Sequence, residues 1–213
     1  VLPYVDMPLQ HASDAMLKRM KRGHGIDRQK RVVERLRKAV PNLTFRTAFI
    51  VGHPGETDAE FQELLDFVSW AKFERMGVFR YSDEESAASH GIEGKVRAVT
   101  AANRYRKLMS VQRKIAREKN KALIGKELEV LVEGQSEEHE FVMQARHGGQ
   151  APDVDGHVFL SEGEATAGQL RRVRIAQASD YDLVGNLIDE APKPAAKKKV
   201  RLQVLSSRYP ALG

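Results

Sequence analysis

Two short stretches hold the residues best suited to chemistry. In "RTAFIVGHPGET" (46–57) a run of strand-forming apolar residues breaks into Gly52, His53, Pro54, Gly55 and Glu56. Gly52 has no Cβ and lets another group come against the backbone. Pro54 and Gly55 turn the chain, and Glu56 is then the first polar side chain at the rim of the strand. In "PLQHAS" (8–13) Gln10 and His11 stand between an apolar stretch and a helix start. An amide beside an imidazole at such a junction can hydrogen-bond a polar ligand. The plainer alternatives are a tight, well-capped turn at 52–56 with no ligand, and a His11 that satisfies a neighbouring carbonyl. Cysteine is absent, so no disulfide, thiolate nucleophile or cysteine-ligated metal site can be built from this chain alone.

Alternating strands and helices must position these residues. "LPYVDMPL" (2–9) reads as a short strand; Ser13 then offers an N-cap to "DAMLKRMKRG", which Gly23 closes. Asp27 opens a second helix that Pro41 stops. "LTFRTAFIVG" (43–52), apolar at consecutive positions near its end, predicts a strand covered on both faces. Thr57 and Glu60 have capping-box spacing ahead of "TDAEFQELLDFVSWAKF". A third strand, "RMGVFRY", ends in the polar loop "SDEESAASHGIEG", and a long helix runs from about Ala98 to Ala122. Strands joined by helices form parallel βα units, whose ligands lie beyond the carboxyl ends of the strands. Both candidate stretches fall there. Three strands are too few for a closed barrel, so 1–122 reads as the carboxyl-terminal portion of a larger α/β domain.

From "GKELEVLVEG" onward the pattern changes to short alternating strands at about 126–133, 140–146, 156–160, 170–177 and 182–188, which suits a small closed barrel of the oligonucleotide-binding type. Residues 123–190 form this second domain, and 191–213, "APKPAAKKKVRLQ" and beyond, read as a basic, disordered tail. No apolar run reaches the length of a membrane span, which predicts a cytoplasmic protein without a membrane partner. The net charge of +6 is uneven: Lys126 to Glu190 holds five Lys/Arg against fourteen Asp/Glu, a net −9, and the remainder carries +15.

"YVDMPLQHASDAMLKRMKRG", "RTAFIVGHPGETDAEFQELLDFV" and "GVFRYSDEE" resemble the later strands and helices of radical S-adenosylmethionine methylthiotransferases, and "LIGKELEVLVEG" resembles the start of that family's TRAM domain. "ARHGGQAPDVDGHVFL" with "ASDYDLVGNL" is most similar to the RimO-type branch, which modifies an aspartate of the twelfth small-subunit ribosomal protein. The resemblance runs from Leu2 to about Ile188. It implies the end of a radical SAM (TIM-like) β/α barrel followed by an OB-like TRAM barrel. The sequence departs from the family at His53, where Phe is usual, and at "EESAAS", where Glu-Gly-Thr is usual.

The resemblance implies two 4Fe-4S clusters in the full-length protein. One would cleave S-adenosylmethionine to a deoxyadenosyl radical that takes hydrogen from the aspartate β-carbon; the other would take part in sulfur insertion. It also implies cofactor contacts at Gln10, His11, Ile50, Gly52, Pro54, Gly55 and Glu56. No catalytic residue and no metal ligand is assigned, because the family's cluster ligands are upstream cysteines that this chain lacks. The chain alone is therefore expected to be an inactive fragment.

Charge complementarity pairs the acidic TRAM domain with a basic ribosomal protein, since an RNA-binding face would be basic. The alternative is that these carboxylates form only a solvated surface. The basic helices are either solvated or touch ribosomal RNA, and the cluster Arg171, Arg172 and Arg174 either contacts nucleic acid or covers a strand face. The competing functional readings are a MiaB-like tRNA methylthiotransferase and a TRAM-type binding module without chemistry.

Overall fold

The computed structural model describes residues 1–85, 89–136 and 142–189. The basic tail and residues 86–88 of the "EESAAS" departure lie outside the described residues. The first part runs β1 (Tyr4–Asp6), α1 (Asp14–Arg19), α2 (Ile26–Ala39), β2 (Thr44–Val51), α3 (Asp58–Ala71), β3 (Arg75–Arg80) and α4 (Ala98–Lys121). Its three strands form one parallel sheet in the order β1-β2-β3.

β1 is shorter than the apolar run that contains it, because Pro8 has no N–H for the ladder. Leu9 donates instead to the hydroxyl of buried Thr47 at 3.2 Å. Pairing resumes at Gln10, whose N–H reaches Ala48 O and whose carbonyl accepts from Ile50 N–H, each at 2.9 Å. α2 begins one residue before Asp27, since Asp14 of α1 caps it from a distance through the Ile26 N–H, at 2.7 Å. Ser13 occupies the N-cap position of α1 without a side-chain cap bond. Thr57 and Glu60 complete the expected capping box on α3, worth about 1 kcal/mol.

The helices cover one face of the sheet, where Phe45, Phe49 and Phe73 are fully buried with ring centroids 5.2 to 6.0 Å apart. The reading of β2 as covered on both faces is corrected: buried and half-buried residues alternate along its whole length. Phe45, Thr47, Phe49 and Val51 face the helices. Arg46, Ala48 and Ile50 face the other way, in register with Arg75, Gly77 and Phe79 of β3. This open face is charged at its amino end and apolar at its carboxyl end.

The second part comprises β4 (Glu127–Gln135), β5 (Met143–His147), β6 (Val158–Glu162), β7 (Leu170–Ala178) and β8 (Leu183–Leu187). They close into a barrel in the order β4-β5-β6-β8-β7, antiparallel except for β6 with β8. Val130, Val132, Ala145, Val158, Val173 and Leu183 fill its interior. The chain is thus an α/β unit followed by a small closed β-barrel of the OB-like kind.

The barrel docks on the amino ends of the strands. Gly149 lies so close to β2 that a Cβ there would stand 2.5 Å from Thr44 Oγ1. Tyr4 OH donates to Asp155 at 2.8 Å, and Asn120 of α4 donates to Asp180 O at 3.1 Å. The candidate loops lie at the opposite edge, about 25 Å away along a strand of β2's length.

Candidate functional site at the carboxyl edge of the sheet

Gly52 ends β2 in the left-handed region, at φ +78°, and its bare backbone is approached from within the protein. A Cβ there would stand 2.5 Å from Ala101 Cβ, so glycine is required by the packing of α4. Gly55, also left-handed, faces the Arg19 side chain, and its N–H donates to Gly94 O at 2.8 Å. The two glycines hold the loop between a helix and the returning 89–95 segment.

Glu56 does not point outward at the rim. Its side chain is fully buried, and its carboxylate accepts from Gly52 N–H, from Arg104 Nη1 at 2.7 Å and from His11 Nε2 at 3.1 Å. Arg104 also donates to Glu56 O at 3.0 Å and to Asp58 at 2.6 Å. A buried carboxylate with three donors is compensated in the way that burial of a charge demands. Glu56 therefore ties the loop after β1, the loop after β2 and helix α4 into one unit. Arg104 had no visible partner in the sequence, because its contacts come from residues 46 and 48 positions away.

His11 likewise turns inward. Ser13 N–H donates to its Nδ1 at 3.0 Å, which places the ring proton on Nε2 and aims it at Glu56. Both ring nitrogens are thus bonded within the protein, Nε2 to a carboxylate rather than to a neighbouring carbonyl. Gln10 differs: its φ of +71° directs its side chain toward the carboxyl-edge surface beside Ile50.

Two cavities open at this edge. One, of about 220 Å³, is lined by Gln10, Ile50, His53 and Tyr81 among others. The second, of about 470 Å³, is lined by Gly52, Pro54, Phe79, Tyr81 and Asp83. Tyr81 belongs to both. Phe79, 59% exposed, is the large apolar side chain in register with Ile50 on the open face. The alternation in "RMGVFR" pairs Phe79 with Gly77 on one side of the strand, and that signal could have identified it. His53 packs edge-on against Tyr81 with centroids 5.1 Å apart, so an aromatic ring stands at the position where the resemblance expects Phe. Burial pushes the His53 imidazole below its ordinary value.

The barrel's basic cluster is engaged internally at Arg171 and shares one carboxylate at the surface. Arg171 is buried and bonds Asp189 and Glu164 O, while Arg172 and Arg174 both pair with Glu127. Much of the acidic surplus is spent too: Glu133 pairs with Arg146, and Asp180 with Arg113 and Arg117 of α4. Among the described residues no group of three or more His, Asp or Glu side chains is placed to hold a metal ion, and no helix is long and apolar enough to cross a membrane.

Comparison with known proteins accords with this architecture. Residues 2–68 match the family model of the radical SAM superfamily, and residues 124–188 match that of the TRAM domain. A ribosomal protein uS12 methylthiotransferase RimO of Sorangium cellulosum is 63% identical over 97% of this chain and 45% of its own length. Proteins of the same name from Solibacter usitatus and Myxococcus xanthus are 51% and 46% identical, over 87% and 92% of this chain and 40% and 41% of their own lengths. The chain spans less than half the length of these relatives. Over the stretch it spans, a radical SAM segment followed by a TRAM barrel, the chain belongs to the RimO-type methylthiotransferases.

Proposed function

We propose that this chain is part of a radical SAM methylthiotransferase that places a methylthio group on the β-carbon of an aspartate in ribosomal protein uS12. The observation that carries the reading is the 63% identity to a RimO protein, sustained across both the sheet and the barrel. A ribosomal substrate puts the reaction in the cytoplasm.

The carboxyl edge fits the nucleoside part of S-adenosylmethionine. It offers two adjoining cavities, with the amide of Gln10, the apolar faces of Ile50 and Phe79, and the Gly52–Pro54 turn around them. When bound, that cofactor supplies the methyl group and the radical-generating sulfonium. Gln10 and Ile50 would hold the nucleoside directly, with Gly52 and Pro54 forming the wall. His11, Gly55 and Glu56 act from behind by fixing the loops, a preorganisation that helps keep the bound geometry productive. The iron–sulfur clusters of the family find no ligands here, because the 213 residues contain no cysteine. Cluster ligands therefore have to come from outside this sequence, and no step is assigned to them.

The TRAM barrel serves as an anchor for the basic ribosomal protein. Among the described residues Glu129, Asp153 and Glu164 are its exposed acidic side chains without an ion pair. Docked at the amino ends of the strands, the barrel leaves the carboxyl edge uncovered, so the partner spans about 25 Å between anchor and reacting aspartate. The burial of Arg171 on Asp189, and the sharing of Glu127 by Arg172 and Arg174, reduce the basic charge the barrel can offer to tRNA.

The test is intact-mass and peptide mass spectrometry of uS12 from cells with and without the gene encoding this chain. Loss of one methylthio group from the aspartate on deletion supports the proposal. Unchanged uS12, with a methylthio group missing from tRNA instead, overturns it.

A further inference from the structure

Helix α4 presents one face to the core and another, almost wholly basic, to solvent. Leu108, Gln112, Ile115 and Ala116 are buried. Arg106, Lys107, Arg113, Lys114, Arg117 and Lys121 are exposed, and Glu118 is the one acidic residue of the helix. At 1.5 Å per residue the row from Arg106 to Lys121 runs about 22 Å. Lys114 and Lys121 have no ion pair among the described residues, and Arg113 and Arg117 share the single carboxylate of Asp180, in the turn between β7 and β8. Beside them Arg117, Lys121, Ala178, Ser179 and Asp180 line a shallow cleft of about 470 Å³ between the helix and the barrel.

Such a row does not serve the helix itself. Arg113 with Arg117, Lys114 with Arg117, and Arg117 with Lys121 are like charges at i,i+3 or i,i+4 spacing, which destabilise a helix. The helix dipole favours cations in the last turn, where Lys119 and Lys121 lie, and does not account for those at 106–114. α2 offers the contrast: its exposed Arg28, Arg31, Arg35 and Lys38 are interleaved with Asp27 and Glu34 at pairing distance along the helix. From 103 to 121 the exposed face of α4 holds no large apolar side chain, so it lacks what a helix needs to enter a membrane surface.

We propose that the exposed face of α4 and the cleft beside it bind the phosphate backbone of RNA, ribosomal RNA in the setting of the proposed function. A polyanion supplies the negative charge that this row lacks, and a row of Lys and Arg neutralises successive phosphates with release of counterions. No aromatic side chain stands among the exposed residues of the row, so the contact positions the partner without reading its bases. The surface adjoins the TRAM barrel, so RNA held on α4 would bring a ribosomal partner to the barrel's acids. The identity of the RNA rests on the ribosomal reading; the charge pattern of the surface does not.

The test is fluorescence anisotropy of the 213-residue chain with a labelled RNA hairpin of about 16 base pairs, between about 50 and 200 mM salt. Arg113→Gln, Lys114→Gln and Lys121→Gln together should lower the slope of log K against log salt by about two, and weaken binding about a hundredfold at about 0.1 M salt. The same loss of charge on α2, through Arg28→Gln, Arg31→Gln and Arg35→Gln, should weaken binding by less than about threefold, because screening removes distant charges. The Lys-rich segment 191–213 is unchanged in every variant. Lys107→Gln with Lys114→Gln touches no ion pair, should lower the slope by about 1.5, and decides the matter if the triple variant fails to fold. Unlabelled hairpin should compete about tenfold better than poly-L-glutamate at equal charge. Equal losses on the two helices would mean that only net charge is read and would overturn the proposal. So would an unchanged slope in the α4 variants, or poly-L-glutamate competing as well as RNA, which would mark an acidic protein as the partner. Binding lost only in the α4 variants supports the proposal even where mass spectrometry of uS12 overturns the methylthiotransferase reading, so the two failures are distinguishable.

Discussion

Acid should loosen the seam between sheet and barrel through a single histidine. His147 ends β5; its Nδ1 accepts Gly149 N–H at 3.0 Å, and Gly149 is the residue pressed against Thr44 of β2. Burial, and then the neighbouring Arg75 charge, push the imidazole down to about 4, with Asp155 opposing. In an unfolded chain the same group titrates near 6.5. Between these values the unfolded state binds the proton and the folded state does not, so stability rises with pH across that window. The contribution is present above about pH 6.5 and is lost as pH falls through about 4. A gap of that size corresponds to about 3 kcal/mol.

The assay is urea denaturation of wild type and of His147→Asn at pH 7.5, 5.5 and 4. The Asn side-chain oxygen can stand in for Nδ1, and subtracting the two curves removes the carboxylates that titrate in both proteins. The wild type should lose about 3 kcal/mol more than the variant between pH 7.5 and 4. Parallel profiles would refute the reasoning and would mean that the ring is solvated.

Three substitutions at the carboxyl edge have worked outcomes. Gly52→Ala places a Cβ against Ala101 in a left-handed backbone and should cost about 3 kcal/mol. Pairing it with Ala101→Gly should recover about 2 kcal/mol of that in denaturant titrations, leaving the conformational part. Glu56→Gln should destabilise by about 3 kcal/mol, because Arg104 loses the charge that compensates it in the interior. Equal stability at pH 7 would remove the network from the account. Phe79→Ala, at a side chain 59% exposed, should change stability by under about 0.5 kcal/mol yet lower methylthiolation of uS12 in cells. Undiminished modification would exclude Phe79 from the site.

The order of elements was legible because each has a strong period. β7 alternates, and α3 announces itself through Thr57 and Glu60. Misreadings arose where a distant residue decides a local outcome. Asp14 sets the start of α2 from another helix, and Pro8 shortens β1 through a missing N–H that Thr47 makes good. The consecutive apolar residues of "AFIV" imitated a strand buried on both faces, although Ala48 and Ile50 look away from the helices. At the site, Gln10, Ile50, Gly52 and Pro54 line the carboxyl-edge cavities. The inward turn of His11 and Glu56 depends on Arg104, which local spacing does not reveal. The net charge of the barrel likewise concealed its ion pairs, because composition does not say which charges meet.

On the proposed function, the carboxyl edge around Ile50 holds the cofactor that serves uS12 modification, and blocking that edge should abolish the modification. Ile50 is half-buried beside Gln10 and Tyr81, so Ile50→Trp would fill that cavity while leaving the helix-facing core intact. The direct measurement is mass spectrometry of uS12 from cells carrying only this allele, with the encoded protein quantified in the same lysate. The account predicts normal protein level with the methylthio group absent from the aspartate; full modification by the Ile50→Trp allele would contradict it.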